Sequence, residues 1–315
     1  MDILMLNETE VQRLLDPDAL LDALAESFRA LSSGLVDAPK RIGVSVPNTG
    51  FLLAMPAYQQ SQAITVKLVS VFHGNKQLGI PTHQALICLF DPQTGTPLSF
   101  MDGTSITALR TAGAAALSTR LLARTNTHVL AIVGAGVEGH AHLKMLPHVR
   151  PFSEIRVASR HFAHAEQLAA TDARARAVET AEEAVRGADV VCLCTSAGEP
   201  VVRLDWLAPG MHVTSVGYAP PGGELDPRVI AQGRLFVETR LAFEPPPVGC
   251  GELVGLDPSV GTELGEVLLG QRRGRQSEEE LTVYKAMGHA CEDLAAASLV
   301  YHCAKQEGAG HTVML

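Results

Sequence analysis

The sequence has few aromatic residues and few positive charges. Phe, Trp and Tyr make up 4% of its 315 residues, and 25 Lys and Arg stand against 34 Asp and Glu, which gives a formal net charge of −9. A surface that follows a nucleic-acid backbone needs clustered Lys and Arg. Arg272, Arg273 and Arg275 form one such cluster, but its glycine-containing turn favours a solvated loop over an anion site. No nucleic-acid partner is therefore expected.

Long apolar runs and closely spaced cysteines are also missing. No apolar run approaches the roughly 20 residues that a membrane-spanning helix needs, and the opening segment MDILMLNETE has neither the basic region nor the apolar stretch of a signal peptide. The cysteines are Cys88, Cys192, Cys194, Cys250, Cys291 and Cys303. Without a C-x-x-C pair they predict buried thiols rather than disulfides or a metal site. We expect a cytoplasmic protein with no membrane partner and no metal.

The remaining sequence is aliphatic and changes its pattern partway along the chain. Residues 7–31 are predicted to form an amphipathic helix, and the runs RIGVSV, FLLAMPAY, AITVKLVSVF and HQALICLF, separated by turn signals, predict a largely antiparallel or mixed sheet. From about Thr107 a helix rich in small residues leads into alternating strands and helices. Their continuous apolar strands are typical of a parallel sheet covered on both faces.

This pattern predicts an α/β protein of two domains, each large enough for its own core. We assign a doubly wound parallel sheet to residues 113–289. A long helix from about Ala290 to Gln306 is predicted to return to the first domain. Residues 1–112 plus 290–315 would then form a discontinuous α+β domain with a mixed sheet.

The segment HVLAIVGAGVEGHAHLKML places three glycines between a predicted strand and a predicted helix. Gly134 permits a tight turn, Gly136 lets the backbone approach a pyrophosphate, and Gly139 allows close packing of the helix on the strand. The helix begins at Val137 and Glu138, where free N–H groups face the phosphates. In this context the glycine motif predicts a Rossmann domain that binds a dinucleotide.

Residues at the ends of the next strands bear on the choice of cofactor. The strand after the motif ends in Ser159 and Arg160, where an NAD site usually has Asp or Glu. A hydroxyl and a cation suit a 2′-phosphate, so NADPH is favoured and NADH remains possible; Arg160 would otherwise stack on adenine or face solvent. Thr195 and Ser196 end a further strand, either near the ribose and nicotinamide or as simple caps.

The strand HVTSVG ends at Gly217, which we also assign to the cofactor site. Its carboxyl end should face the chemistry, yet Tyr218 to Gly223 offer no carboxylate, histidine or lysine.

Three cations of the first domain lie in unusual surroundings. Lys67 is inside the apolar run AITVKLVSVF, Arg110 is inside ITALRTAGAAA, and Arg41 precedes a strand. A charge in an apolar segment is costly unless it is paired. Lys67 and Arg110 form buried ion pairs, or the three cations bind a substrate carboxylate, for which arginine is well suited. The second alternative predicts an oxidoreductase that acts on a small carboxylate.

Several blocks, in order, resemble the ornithine cyclodeaminase/mu-crystallin family. They are PKR, VKLVSVFHGN, GIPTHQALICLFD, MDGTSITALRTAGAAALSTRLLA, VGAGVEGHAHL, ELGEVLLGQRRGR and EDLAAASLVY. The resemblance implies an NAD(P)-binding Rossmann domain beside a substrate-binding and dimerisation domain, in a homodimer. Arg41, Lys67 and Arg110 fall on the family's substrate-carboxylate residues, and Thr82 lies in its pocket strand.

One departure from the family distinguishes among its activities. Cyclodeaminases and similar alanine dehydrogenases carry an Asp in a G-x-D-x-P-G pattern where this chain has Ala219 after Gly217. Asp226 is interpreted as the N-cap of a helix rather than as a substitute. Oxidation of an amine requires a base. Reduction of a preformed cyclic imine requires only a hydride, a proton and a site that binds the substrate carboxylate.

We therefore predict an NAD(P)H-dependent oxidoreductase acting on C=N bonds. Its substrate would be a cyclic imino acid, Δ1-pyrroline-2-carboxylate giving L-proline or Δ1-piperideine-2-carboxylate giving L-pipecolate. One alternative is an ornithine cyclodeaminase or alanine-type dehydrogenase that takes its acid from Glu224 or His83. Another is a low-turnover small-molecule binder similar to mu-crystallin.

Overall fold

A computed structural model describes residues 2–60, 62–217, 219 and 222–314. The chain divides into two units, Met1–Arg110 with His289–Leu315 and Thr111–Gly288, which we name the mixed-sheet unit and the parallel-sheet unit. The boundaries lie one or two residues before those expected from the sequence.

The strands are short except for those at the centre of the first sheet. In chain order they are β1 (Asp2–Leu6), β2 (Val36–Asp37), β3 (Ile42–Val46), β4 (Gly50–Gln59), β5 (Ala63–Phe72), β6 (His83–Phe90), β7 (Pro97–Asp102), β8 (Val129–Val133), β9 (Glu154–Ala158), β10 (Ala175–Val178), β11 (Val190–Leu193), β12 (His212–Ser215), β13 (Arg234–Val237), β14 (Thr262–Glu263), β15 (Thr282–Lys285) and β16 (His311–Met314).

The α-helices are α1 (Glu8–Leu14), α2 (Pro17–Ser32), α3 (Gly103–Leu122), α4 (Val137–Met145), α5 (Phe162–Ala169), α6 (Ala181–Val185), α7 (Pro227–Gln232), α8 (Leu264–Leu268) and α9 (Ala290–Glu307). Single 3₁₀ turns occupy His73–Leu78, Leu146–His148, Leu204–Trp206, Arg240–Phe243, Gly251–Leu253 and Pro258–Val260.

The amphipathic helix expected over residues 7–31 is two helices, so that prediction was wrong. The first helix ends at Leu14, and Asp16 caps the second by accepting a hydrogen bond from the N–H of Ala19 at 2.9 Å. Pro17 is the first residue of α2. Proline has no N–H and its ring clashes with the preceding turn, so a continuous helix cannot pass through it.

The mixed-sheet unit is built on the strand order β16-β1-β7-β6-β5-β4-β2, with β3 also paired to β4. Only the β1–β7 pair among these is parallel, which confirms the predicted mixed sheet. Leu53, Met55 and Ala57 of β4 alternate inward and pack against Ala290 and Leu294 of α9. Helix α9 therefore belongs to the core of this unit although it comes from the end of the chain.

The parallel-sheet unit has the strand order β10-β9-β8-β11-β12-β15-β13-β14, and every pair is parallel. This confirms the predicted doubly wound Rossmann sheet. The connection reverses direction between β8 and β11, the position where ligands bind in such sheets, outside the carboxyl ends of the strands. The loops that follow β8, β9, β11 and β12 therefore meet at one edge.

Other sequence features have plain structural roles. Arg275 of the basic cluster is partly buried and donates to the carbonyls of Leu122 and Glu280, whereas Arg272 and Arg273 are exposed. In the described part of the chain the six cysteines form no disulfide, and all but Cys303 are buried. In the described part of the chain, no helix combines the length and apolar character needed to cross a membrane. The same residues contain no group of three or more His, Cys, Asp or Glu side chains placed to hold a metal ion.

Candidate active site

The glycine loop of the parallel-sheet unit follows β8. Gly134 has a φ of +113°, and a Cβ there would lie 2.4 Å from the carbonyl oxygen of Cys194, so only glycine fits. A Cβ on Gly139 would lie 2.1 Å from the carbonyl oxygen of Gly134 and 3.3 Å from Leu168. Both glycines therefore permit close packing of the backbone, as the sequence predicts.

Gly136 differs from its neighbours because it borders open space. A Cβ added there meets no atom within 4 Å, and Gly136 is the N-cap of α4 without a side chain to cap it. The first residue of the helix, Val137, is exposed, and Glu138 and Gly139 follow in the same turn. An uncapped helix amino terminus with an open approach fits the phosphates of a dinucleotide.

The neighbouring strands bring the other predicted cofactor residues to the same edge. Partly exposed Ser159 and exposed Arg160 directly follow β9, beside β8. Thr195 and Ser196 follow β11 on the other side of β8, and Ser196 is exposed. The Thr195 hydroxyl accepts from the N–H of Ala197 and donates to a carboxylate, so it holds its own loop in shape.

The loop after β12 contains Gly217 and Ala219, while Tyr218, Pro220 and Pro221 lie outside the described residues. The position that holds Asp in cyclodeaminases is therefore an alanine methyl group. Glu224, which the sequence offers as an alternative acid, is fully buried, and its two oxygens accept hydrogen bonds from Thr195, Ser215 and Gly217. Asp226 caps α7, which confirms its predicted role.

In the mixed-sheet unit, a buried ion cluster forms around Lys67. Lys67 lies on β5 opposite Met55 and Ile87, and it is 2% exposed. Its Nζ lies 2.9 Å from Oδ1 and 2.8 Å from Oδ2 of Asp293 on α9. Burial lowers the pKa of Lys67 from its ordinary 10.5 to about 8, with the charge of Asp293 opposing and that of Arg110 adding to this shift.

Arg110 on α3 completes the cluster. Its Nε donates to Asp293 Oδ1 at 3.1 Å and its Nη1 to Glu292 Oε2 at 3.2 Å. Burial alone would raise the pKa of Asp293, but the charges of Lys67 and Arg110 lower it below its ordinary value. The sequence shows no acid near either cation, yet both are paired, so the buried ion pairs considered there are present.

Arg41, Thr82 and His83 are the remaining predicted residues of this unit. The charge of Arg41 also lowers the pKa of Lys67, so Arg41 lies within electrostatic range of the cluster. Thr82 and His83 stand at the start of β6, and the Thr82 carbonyl accepts from the N–H of Phe72 at 2.8 Å. Burial and the charges of Lys67 and Arg110 lower the pKa of His83 to about 4, so its imidazole is neutral at pH 7.

Sequence reasoning missed Glu292 and Asp293. They lie in EDLAAASLVY, in the first turn of a helix where acidic residues commonly favour the helix dipole, so they gave no signal of their own. It also missed Lys285, a lysine in the short buried strand TVYK. The reasoning that selected Lys67, a charge within an apolar run, would have selected Lys285 as well.

Comparison with known proteins agrees with this geometry. Residues 1–308 match the ornithine cyclodeaminase/mu-crystallin family. The chain belongs to this family. Among its curated members, the ketimine reductase mu-crystallin of Mus musculus is 38% identical over 304 residues, which covers 94% of this chain and 96% of the mouse protein.

Two solved structures of similar chains extend the comparison. The Δ1-pyrroline-2-carboxylate reductase of Thermococcus litoralis, solved with NADH and L-proline, has a TM-score of 0.93 and 32% identity over 99% of this chain and 100% of that chain. An archaeal alanine dehydrogenase dimer with bound NAD has a TM-score of 0.92 and 30% identity, with both chains covered fully. The fold is thus shared by family members with different activities.

The buried Lys67 gives a prediction for the pH dependence of catalysis. If its ammonium is the active form, kcat/KM for a carboxylate substrate will fall as pH rises through about 8. Because Asp293 raises the pKa of Lys67, the Asp293→Asn variant should show the fall at lower pH. The measurement is a set of kcat/KM profiles from pH 6 to 10.

The matched control is Glu292→Gln, which removes the adjacent buried carboxylate that pairs with Arg110. It should change the level of activity but not the position of the alkaline limb. Titration of the substrate itself is common to all variants, so only the difference between profiles reports on the protein. Coincident limbs for the wild type and Asp293→Asn would exclude Lys67 as the titrating group.

Proposed function

We propose that this protein is an NAD(P)H-dependent reductase of cyclic α-imino acids, which converts Δ1-pyrroline-2-carboxylate to L-proline, Δ1-piperideine-2-carboxylate to L-pipecolate, or both. The observation that carries this proposal is the absence of a usable acid in the segment after β12. The sequence of that segment has Ala219 at the acid position, and Glu224 beyond it is buried with its oxygens occupied. A preformed imine can be reduced without such a group.

The mixed-sheet cluster supplies what imine reduction needs from the protein. Arg110 and Arg41 attract the substrate carboxylate, and Thr82 is proposed to line the same pocket. Lys67, with a pKa of about 8, can donate a proton to the imine nitrogen at neutral pH and recover one from solvent. When bound, the nicotinamide cofactor supplies the hydride to the imine carbon. One hydride and one proton convert C=N to CH–NH.

The alternative activities find less support in these groups. An amino-acid dehydrogenase or cyclodeaminase needs a base that removes protons from an ammonium group and from water. Glu224 cannot serve because its oxygens already accept four hydrogen bonds. With a pKa of about 4, His83 is a weak base at pH 7. The mouse ketimine reductase and the Thermococcus reductase, both named for imine reduction, also favour the reductase.

Direct assay tests the proposal. With NADPH, fast loss of cofactor absorbance is expected on adding Δ1-pyrroline-2-carboxylate or Δ1-piperideine-2-carboxylate, and L-proline or L-pipecolate should accumulate. Ornithine or alanine with NAD should give no reduced cofactor. Oxidation of either amino acid at a rate comparable to imine reduction would overturn the assignment. Tight cofactor binding with no turnover of any of these substrates would instead indicate a binding protein.

The Ala219→Asp variant serves as a matched probe of the missing acid. Under the reductase assignment it should lose imine reduction or gain amine oxidation, because it restores the group that cyclodeaminases carry.

We further propose that the cofactor is NADPH in preference to NADH. The support is local, since β9 is followed by Ser159 and exposed Arg160 rather than by the acid that binds a ribose 2′-hydroxyl. A guanidinium and a hydroxyl are the groups that bind a 2′-phosphate.

Arg160→Ala should therefore weaken NADPH much more than NADH. A hydrogen bond to a charged group is worth about 1.5–3 kcal/mol, so a loss of roughly tenfold to a hundredfold in NADPH affinity is expected. The measurement is the Kd of each cofactor by the fluorescence of the reduced nicotinamide. Arg176→Ala, which removes an exposed arginine paired with Glu154 in the same unit, is the control and should change neither value. Equal losses for both cofactors would remove Arg160 from the 2′-phosphate site.

We also propose that the protein is a homodimer, joined through the mixed-sheet face that α9 leaves open. Ile42, Val44 and Val46 of β3 are 45–69% exposed, and the register places Val44 beside Leu52. Leu86 of β6, on the same face, is 40% exposed. A contiguous apolar patch of this kind typically marks an interface. The dimer reported for the archaeal alanine dehydrogenase supports the proposal.

Charged substitutions on this face should separate the two copies. The Val44→Lys/Leu86→Asp double variant is expected to have the mass of one chain in sedimentation equilibrium, where the wild type has the mass of two. Val260→Lys, at a valine of the parallel-sheet unit that is 54% exposed, should leave the mass unchanged. A wild-type monomer, or a double variant that remains a dimer, would contradict the proposed interface.

A further inference from the structure

One carboxylate ties together the loops that follow β11 and β12. Glu224 Oε2 accepts from the N–H and the Oγ1–H of Thr195, both at 2.7 Å. Its Oε1 accepts from the N–H of Gly217 at 2.6 Å and the Oγ–H of Ser215 at 3.0 Å. Thr195 and Gly217 both belong to the proposed cofactor site, and Glu224 bonds to both from a fully buried position.

The donor set requires a carboxylate at this position. Each oxygen of Glu224 faces one backbone N–H, which can only donate. A glutamine side chain has one oxygen and one NH₂ group, and the NH₂ group would face a backbone N–H in either orientation. A buried donor left without an acceptor costs about 1–3 kcal/mol. The near-isosteric amide is therefore a poor substitute.

Lys285 binds the backbone of Gly217 on the carbonyl side of the residue. Its Nζ lies 2.9 Å from the carbonyl oxygen of Gly217, 3.1 Å from Ser215 Oγ and 3.0 Å from Glu252 Oε1. Burial alone would lower the pKa of Lys285, but electrostatic interactions with Cys250, Glu252 and Glu224 raise it above its ordinary value. The N–H of Gly217 is thus fixed by Glu224 and its carbonyl by Lys285.

The two loops are also in close contact. A Cβ on Gly217 would lie 2.3 Å from the carbonyl oxygen of Thr195 and 2.5 Å from Cδ of Glu224. A displacement of Glu224 therefore moves Gly217 relative to Thr195, because no space separates them. The distance between the two loops therefore depends on the side chain of Glu224, which lies outside both β11 and β12.

We propose that Glu224 is a positioning residue that, with Lys285, fixes the spacing of the Thr195 and Gly217 loops for the nicotinamide cofactor. Neither residue is proposed to touch the substrate or to transfer a proton. The inference rests on the cofactor site of the proposed function but not on the identity of the substrate.

The test compares Glu224→Gln with Asp189→Asn. Asp189 precedes β11, where its Oδ2 accepts from the N–H groups of His128 and Val129 at 2.7 and 2.9 Å and its Oδ1 from Arg124. It is a partly buried carboxylate with the same kind of donors, at the amino edge of the same sheet. A merely structural role predicts that both variants lose thermal stability and that neither changes cofactor affinity.

Glu224→Gln is expected to weaken NADPH and NADH by tenfold or more. In the cofactor-free protein it should also speed amide hydrogen exchange at Thr195 and Gly217 by tenfold or more, while the glycine loop at Gly134 is unchanged. Asp189→Asn should leave both cofactor Kd values and both exchange rates as in the wild type. Glu224→Asp, which keeps both acceptor oxygens on a shorter chain, should restore part of the affinity.

Wild-type affinity and exchange in Glu224→Gln, or equal effects in Asp189→Asn, would overturn the proposal. If Glu224→Gln does not fold, Lys285→Met is measured instead, with faster exchange expected at Gly217 and Ala219; unchanged exchange there would also overturn it. These readouts need no imine substrate. A protein that binds NADPH tightly but reduces no imine would therefore refute the proposed function and leave this inference standing.

Discussion

The mixed-sheet unit depends on the neutralisation of Lys67 and Arg110 by two carboxylates of α9, of which Asp293 contacts both cations. Taking a charged group out of water costs several kcal/mol even after the protein relaxes, so a buried ammonium on a central strand is tolerated only with a partner. Asp293 provides it to both cations, from a helix 226 residues after Lys67 and 183 after Arg110. This requirement is met by the end of the chain, since α9 carries Asp293 and Glu292, the carboxylates that pair with Lys67 and Arg110.

The same physical device recurs in the parallel-sheet unit. Glu224 and Lys285 are a buried carboxylate and a buried ammonium; Glu224 binds the N–H of Gly217 and Lys285 binds its carbonyl. Buried charges hold their partners at defined distances because every alternative arrangement leaves a charge or donor unsatisfied. Buried charged groups, which are costly to desolvate, thus occur where backbone atoms must keep fixed relative positions.

The sequence predicted the elements better than their contacts. The strands β5 and β6 match the expected apolar runs, and the roles of Gly134 and Gly139 follow from the space around them. Such features are local, because an apolar run or a glycine motif is recognised from residues that are adjacent in the sequence. The strands β10 and β15 each contain a charged residue within four positions, so neither shows a continuous apolar run. The helix over residues 7–31 was predicted as one piece because the hydrophobic period was given more weight than Pro17. The two strands were missed because they are stabilised by pairing with adjacent strands rather than by their own sequence.

The partners of the buried charges could not be predicted for a related reason. Nothing within one helix or strand says that Asp293 will meet Lys67, because the pairing is created by the packing of α9 on β5. The missing partners affect the functional interpretation. In the sequence, Lys67 and Arg110 have no acidic residue nearby, which suggests a strongly cationic pocket. With Asp293 and Glu292 in place both cations are paired, and the pKa of Lys67 is about 8. A lysine that can both attract a carboxylate and release a proton near neutral pH suits the reduction of an imine, whose nitrogen gains a proton as its carbon gains hydride.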